Sequence, residues 1–192
     1  DGKLTAGKHA AKEKNNLQLR RDSNLSIKFS GLITKKILSN ELIKSFALPK
    51  KIHGTIFSKS TSGMKYGRHI DNAYMSSGRA DLSFTVFLNC KKKYEGGALS
   101  IQGLNSEEKF KLDAGEIIIY PSTYLHSVEE VIDGERLVFI GWIESYVKSI
   151  EEREYLFDLD AAARSLLAKY GRSEEVDLIY KSYSNFLRRL GN

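Results

Sequence analysis

Between Ile52 and Val147 the chain is cut into short segments rich in β-branched and aromatic residues, each ended by Gly or a polar turn: IHGTIFSK, DLSFTVFLNC, GALSIQ, EKFKLD, EIIIYP, YLHSVEEVI and RLVFIGWIESYV. Segments of this kind, recurring about every 8 to 15 residues, predict an antiparallel sandwich or barrel. Helical periodicity flanks them on both sides. Upstream, Thr34–Phe46 sets Ile37, Leu38, Leu42, Ile43 and Phe46 on one stripe, which predicts a single amphipathic helix stopped by Pro49. Downstream, from about Lys148, Val176, Ile179, Tyr180, Tyr183, Phe186, Leu187 and Leu190 recur three and four apart. Ser173 is the expected N-cap there, with Glu174 and Glu175 at the positive end of the helix dipole. Residues up to about 30 are polar and show no clear period. The expected class is mainly β with flanking helices, residues 1–147 forming one domain and residues 148–192 a helical extension packed on its core.

Composition narrows the function classes. The chain has 192 residues, 41% hydrophobic and 28% charged, which fits a globular protein rather than a disordered one. No apolar run approaches the roughly 18 to 20 residues of a membrane span, and no apolar signal-peptide centre opens the sequence, so a cytoplasmic, membrane-free protein is expected. The single cysteine, Cys90, excludes an internal disulfide framework and a multi-thiolate metal site. Hard metal ligands must then come from His, Asp and Glu. The net charge of +6, from 30 basic and 24 acidic residues, leaves nucleic acid open as a partner, although a solvated basic face explains it more simply.

The chemistry concentrates in YGRHIDNAY, where His69 and Asp71 are one residue apart. On a strand, residues i and i+2 share a face, so an imidazole and a carboxylate converge while Ile70 packs into the opposite side. His126, in a strand-like segment after EIIIYP, is the best-placed third ligand. Two His and one carboxylate form the facial set of non-haem Fe(II) oxygenases, which leaves positions open for substrate and O2. His9 and His53 have no such context and read as structural.

Arg136 lies ten residues beyond His126, across VIDGER. A two-residue hairpin loop at Asp133-Gly134 would pair Val131 with Arg136 and put Arg136 and His126 on opposite faces. A three-residue loop, Ile132-Asp133-Gly134, would pair Glu130 with Arg136 and put both on one face, roughly 13 Å apart along the sheet. That span suits a short dicarboxylate, bound to a metal at one end and to a guanidinium at the other.

These residues resemble the bacterial PKHD-type hydroxylases, relatives of the prolyl 4-hydroxylases. The likeness rests on Y-G-x-H-x-D at Tyr66 to Asp71, D-L-S-x-T-x-F-L at Asp81 to Leu88 and Y-x-G-G-x-L at Tyr94 to Leu99. It continues through A-G-E-I-I-I-Y-P-S at Ala114 to Ser122, Leu125-His126, Arg136, Trp142-Ile143, L-F-D-L-D at Leu156 to Asp160 and K-Y-G-R-S-E-E at Lys169 to Glu175. The resemblance implies a double-stranded β-helix, or jelly-roll, core, with Fe(II) held by His69, Asp71 and His126. It implies 2-oxoglutarate as cosubstrate, its distal carboxylate on Arg136 and its pocket lined by Tyr66, Leu99, Val128 and Trp142. The implied reaction consumes O2 and hydroxylates an unactivated C–H bond, plausibly of a prolyl or lysyl residue in a protein or peptide. Succinate and CO2 are released, and ascorbate is an accessory reductant.

Two departures from the family pattern stand out. Ser60 occupies a place where a Tyr is often found, and the chain begins at Asp1, where an additional N-terminal helix is expected upstream.

Other features carry blander expectations. Lys91-Lys92-Lys93 reads as a solvated loop, Gly96-Gly97 as a backbone requirement at a strand start, and Cys90 as a packing residue. Surplus apolar surface on the C-terminal helices could form a homodimer contact. The rival functions are a cupin-like module that binds a metal or small ligand without turnover, and a dioxygenase directed at nucleic acid.

Overall fold

The computed structural model describes residue 2, residues 10–103 and residues 105–192. His9 lies outside the described residues. Two compact units emerge, one made of the chain up to Ile33 with Ile52–Glu144, the other of Thr34–Lys51 with Ser145–Asn192.

In the first unit the sheets are built from β1 (Leu17–Gln18), β2 (Pro49–Thr61), β3 (Tyr66–His69), β4 (Tyr74–Met75), β5 (Gly78–Arg79) and β6 (Leu82–Phe87), followed by β7 (Tyr94–Gly96), β8 (Leu99–Gln102), β9 (Glu107–Phe110), β10 (Ile117–Pro121), β11 (His126–Val128) and β12 (Val131–Ser145). One sheet runs β1-β2-β12-β6-β10, with β7 also on β12; a second runs β3-β11-β8-β9; β4 and β5 form a hairpin. The pairs β1-β2, β6-β10, β6-β12, β7-β12, β3-β11, β8-β11, β8-β9 and β4-β5 are antiparallel. This is the mainly β core that the strand texture predicts, of the jelly-roll type that the family resemblance implies.

All six residues of β6 are buried, as befits a central strand covered on both faces. Its register sets Ser83 opposite Trp142, Thr85 opposite Ile140 and Phe87 opposite Val138 on β12. On the other side, Ser83 faces Tyr120 and Thr85 faces Ile118 of β10. Because side chains alternate, Ser83, Tyr120, Trp142 and, further along β12, Arg136 share one face of this sheet. Tyr120 packs with Leu99 and Ile101 of the second sheet, so that face looks across at β8 and β11.

The second unit is helical: α2 (Glu41–Ala47), α3 (Ile150–Tyr170) and α4 (Glu174–Leu190), joined by the end of α1 (Asn24–Leu38). Ser149 caps α3 by accepting from the Glu152 N–H, and Ser173 caps α4 by accepting from the Val176 N–H, as its sequence position predicts. Leu48, Val147 and Leu156 form the core, with Tyr183, Leu187 and Leu190 of the predicted stripe packed against them.

Three expectations are corrected. Thr34–Phe46 is not one helix. The side chain of Asn40 accepts the Ile43 N–H at 3.0 Å and starts a new helix, because a local side-chain cap competes with continuation of the old one. The first of the two helices begins at Asn24, inside the stretch without a clear period.

Neither hairpin loop exists at Asp133-Gly134. Gly134 (φ +78°) lies within β12, where Val131 pairs with Gly96, Asp133 with Glu95 and Gly134 with Tyr94, across a register shift. A Cβ at Gly134 would strike the Lys93 carbonyl and come within 2.8 Å of Tyr94 Cα, so the glycine serves the close approach of β7 to β12, just past the register shift between Val131 and Asp133, rather than a turn. His126 and Arg136 therefore stand on different sheets.

The third correction concerns Ile70. It is 55% exposed, because β3 ends at His69 and Asp71 projects from the segment that follows.

Candidate active site

A cleft of about 790 Å³ opens in the first unit, and every predicted site residue lines it: Tyr66, His69, Asp71, Leu99, His126, Val128, Arg136 and Trp142. His69 comes from the end of β3 and His126 from the start of β11, where the two are register partners, and Asp71 follows two residues after His69. One ligand atom from each of the three falls within 4.8 Å of the others. Nε2 of His126 is 3.7 Å from Oδ2 of Asp71. Ligands arranged on one face of a first-row dication, each at about 2.1 Å, lie about 3 Å apart, so the donors need only a small contraction to fit.

The tautomers suit ligation. Nδ1 of His69 lies 2.8 Å from the Gly67 carbonyl oxygen and Nδ1 of His126 lies 3.0 Å from that of Tyr124. Carbonyls only accept, so each Nδ1 carries the proton and each Nε2 offers its lone pair to the cleft. His69 stacks on Tyr66 with centroids 3.7 Å apart and contacts His126 at 4.2 Å. Burial first, then the neighbouring His126, lowers the His69 pKa to about 4, which keeps the ring neutral as a ligand must be.

Ser83 was not singled out in the sequence. Its hydroxyl donates to Oδ2 of Asp71 at 2.6 Å, and since that proton is committed, the Ser122 hydroxyl 2.8 Å away donates to Ser83. The carboxylate is thus held by a short buried relay. The available signal was the polar Ser83 and Thr85 alternating with apolar residues in LSFTVF, which marks one face of a buried strand as polar.

Arg136 presents a different situation. It is 3% exposed, and its Nε has no hydrogen-bond partner among the described residues. Its guanidinium carbon lies 5.6 Å from the Phe87 ring centroid. Desolvation lowers its pKa, an effect partly offset by Tyr94 and Tyr120. A buried guanidinium without a carboxylate beside it is costly, and a bound anion is the ordinary remedy. Tyr120 links the two ends: its ring is 5.1 Å from that of His126, and its hydroxyl lies close enough to feel both Asp71 and Arg136. The Trp142 indole N–H is also buried with no partner among the described residues. A three-donor metal set, a buried cation and spare donors in one cleft fit ferrous iron and a small dicarboxylate.

Lys14 is a further residue that the sequence left in its featureless opening stretch. It is 4% exposed, pairs with Tyr66 as an isolated antiparallel bridge, and holds its ammonium 4.7 Å from the Tyr66 ring centroid. Burial lowers its pKa to about 8, with Asp71 acting in the opposite direction. Ser60 is buried and lines the same cleft.

The remaining candidates behave as structural groups. His53 bonds through both ring nitrogens, to the Ser77 hydroxyl at 2.9 Å and the Arg79 carbonyl at 2.8 Å. Lys91 pairs with Asp113 at 3.2 Å, and Cys90 donates its thiol to the same carboxylate. Gly96 and Gly97 both take positive φ, the backbone requirement expected of them, although they stand at the end of β7 and just after it rather than at a strand start.

Comparison with known proteins follows the same lines. The family model for the 2OG-Fe(II) oxygenase superfamily matches residues 55–144, the stretch that holds both sheets' central strands and the whole donor set. The PKHD-type hydroxylase C-terminal domain matches residues 151–191. A PKHD-type hydroxylase of Prochlorococcus marinus strain MIT 9215 is 78% identical over all of this chain and 86% of its own length. One from strain MIT 9312 is 71% identical over all of this chain and 87% of its own length. A solved prolyl-4-hydroxylase from Pseudomonas putida shares the fold with a TM-score of 0.50 at 19% identity, over 68% of this chain and 71% of that one.

The superfamily is therefore that of the iron(II)- and 2-oxoglutarate-dependent oxygenases, enzymes that consume O2. Within it, the chain belongs to the PKHD-type hydroxylases.

Proposed function

We propose that His69, Asp71 and His126 hold Fe(II), that Arg136 grips the distal carboxylate of 2-oxoglutarate, and that the hydroxylated C–H bond belongs to a prolyl or lysyl side chain of a protein or peptide. The observation that carries this reading is the buried Arg136, its Nε without a partner, in the same cleft as the three metal donors. A purely structural metal has no use for such a cation, which weighs against a binding module without turnover.

Iron with 2-oxoglutarate and O2 supplies the oxidising equivalents that turn C–H into C–OH and leave succinate and CO2, with ascorbate as an accessory reductant. The chain's own residues position the reactants. The Gly67 and Tyr124 carbonyls fix both imidazoles with Nε2 inward, and Ser83 fixes Asp71. Leu99 and Val128 give the cosubstrate end apolar walls that exclude water, which strengthens the Arg136 contact. Tyr66 braces His69 from the side, and Trp142 offers its indole N–H.

In this reading residues 1–147 form the dioxygenase domain and residues 148–192 its extension. Among the described residues no helix is long and apolar enough to cross a membrane, and we place the enzyme in the cytoplasm.

The test is spectroscopic. Anaerobic addition of Fe(II) and 2-oxoglutarate should produce the weak visible metal-to-ligand charge-transfer band, and O2 should then yield succinate. His69→Ala and Asp71→Ala should abolish the band; an unchanged spectrum in either would remove the assignment.

A further inference from the structure

Arg136 has a neighbour in the same condition. Tyr94 pairs with Gly134, two residues before Arg136 on β12, and the two side chains meet beside Gly97. A Cβ at Gly97 would lie 3.2 Å from Arg136 Cδ and 3.2 Å from Tyr94 Cε2, so it is the bare glycine that lets the arginine stem and the ring edge close on one point. Both side chains are buried, and each carries a polar atom without an answer: the Tyr94 hydroxyl and the Arg136 Nε have no hydrogen-bond partner among the described residues. Buried polar atoms are nearly always paired, so two such atoms on adjoining side chains require a reason.

Tyr94 is itself fixed from the far side of its ring. Lys111 donates from Nζ to the Tyr94 carbonyl at 2.7 Å and holds its ammonium 4.3 Å from the ring centroid. The hydroxyl and the guanidinium act on each other through the charge of the arginine. Burial raises the Tyr94 pKa and Arg136 opposes the rise; burial lowers the Arg136 pKa, and Tyr94 is the first of the groups that oppose the fall. A guanidinium only donates, whereas a phenol oxygen also accepts, so the hydrogen bond open to this pair runs from Arg136 to Tyr94. Tyr120 flanks the guanidinium as well, but it lines the cleft, where a ligand can touch it directly. Tyr94 is not among the lining residues, so its influence on a ligand has to pass through Arg136.

We propose that Tyr94 is the positioning residue of Arg136: with the cosubstrate bound, its hydroxyl oxygen accepts from the guanidinium and fixes the plane in which the fork meets the distal carboxylate. A charged donor held in one plane gives a carboxylate both energy and direction. The inference rests on the function proposed above for Arg136 and goes beyond it in naming what aims that side chain.

Binding is measured by calorimetry on the full chain with Fe(II) under anaerobic conditions. The probes are 2-oxoglutarate and 2-oxovalerate, which keeps the chelating end and carries a methyl group in place of the distal carboxylate. Tyr94→Phe should weaken 2-oxoglutarate by at least about fivefold and leave 2-oxovalerate within about twofold of wild type. The urea midpoint of the metal-free variant should not fall, because the hydroxyl removed had no partner to lose. An unchanged 2-oxoglutarate affinity, an equal loss for both ligands or a lowered midpoint overturns the proposal, the last two by showing that the hydroxyl serves the fold at large.

Arg136→Met in the same titrations separates the two claims. Wild-type affinity for 2-oxoglutarate in that variant removes Arg136 from the distal carboxylate and takes the earlier reading with it. A loss in Arg136→Met with none in Tyr94→Phe sinks the role of Tyr94 alone.

Discussion

The two ends of the cleft are prepared in opposite ways. At the metal end every donor is held in advance: two Nδ1 protons are given to backbone carbonyls, and Asp71 receives the Ser83 hydroxyl. At the other end Arg136 is buried with its Nε unanswered. The first end is ordered in advance, whereas the second holds a desolvated charge that, in the proposed reading, a bound carboxylate would answer. Affinity at the first should come from preorganisation, and at the second from relief of a desolvated charge.

Mutations can break this contrast. The largest effect is expected from Asp71→Ala or His126→Ala, either of which should take ferrous binding and succinate formation below detection in a titration and an end-point assay. Next is Arg136→Met. It should weaken 2-oxoglutarate binding by about 2 to 4 kcal/mol while stabilising the ligand-free fold by about 1 to 4 kcal/mol, read by calorimetry and by urea melts. A loss of stability instead would mean that the guanidinium is satisfied without a ligand.

Acid should separate the ends as well. The His69 pKa is about 4 in the fold, below its ordinary 6.5. A depressed histidine contributes stability in full above the unfolded value, and that contribution drains away as pH falls through the folded value. Metal-free protein should therefore lose stability between about pH 6.5 and 4, and His69→Gln should flatten that part of the curve in pH-dependent urea melts. Arg136 stays charged throughout this range and adds no slope. The smallest effect sharpens the picture at Asp71: Ser83→Ala should cost about tenfold in ferrous affinity, in the same titration, and leave 2-oxoglutarate affinity in the iron-loaded protein nearly unchanged.

Much of this was legible in the sequence because it is local. Strand texture, the H-x-D spacing and the Ser173 cap each depend on neighbours along the chain, and they appear in the fold where the periodicities put them. What depends on distant partners was not legible. Gly134 looks like a turn residue from Asp133-Gly134 alone, and only the approach of Lys93 and Tyr94 makes it a close-contact position within a strand. Asn40 is a local exception: it sits inside an apolar stripe that reads as continuous, and its cap on Ile43, three residues on, competes with that pattern. Ile70 fits a strand by alternation, but the pairing of β3 ends one residue earlier. Lys14 could not be found at all, since nothing in a polar opening segment announces that it will be threaded against Tyr66 and buried.

At Gly134 the backbones of β12 and β7 come too close for any side chain. Arg136 stands two residues along the same strand, over the Phe87 ring and beside Tyr94, the residue that pairs with Gly134. A single methyl group at position 134 would have to push β7 away from β12. Such a change would leave every side chain that lines the cleft in the sequence and still disturb the pairing of β12 with β7 two residues from the guanidinium, a lesion invisible to any inventory of catalytic side chains.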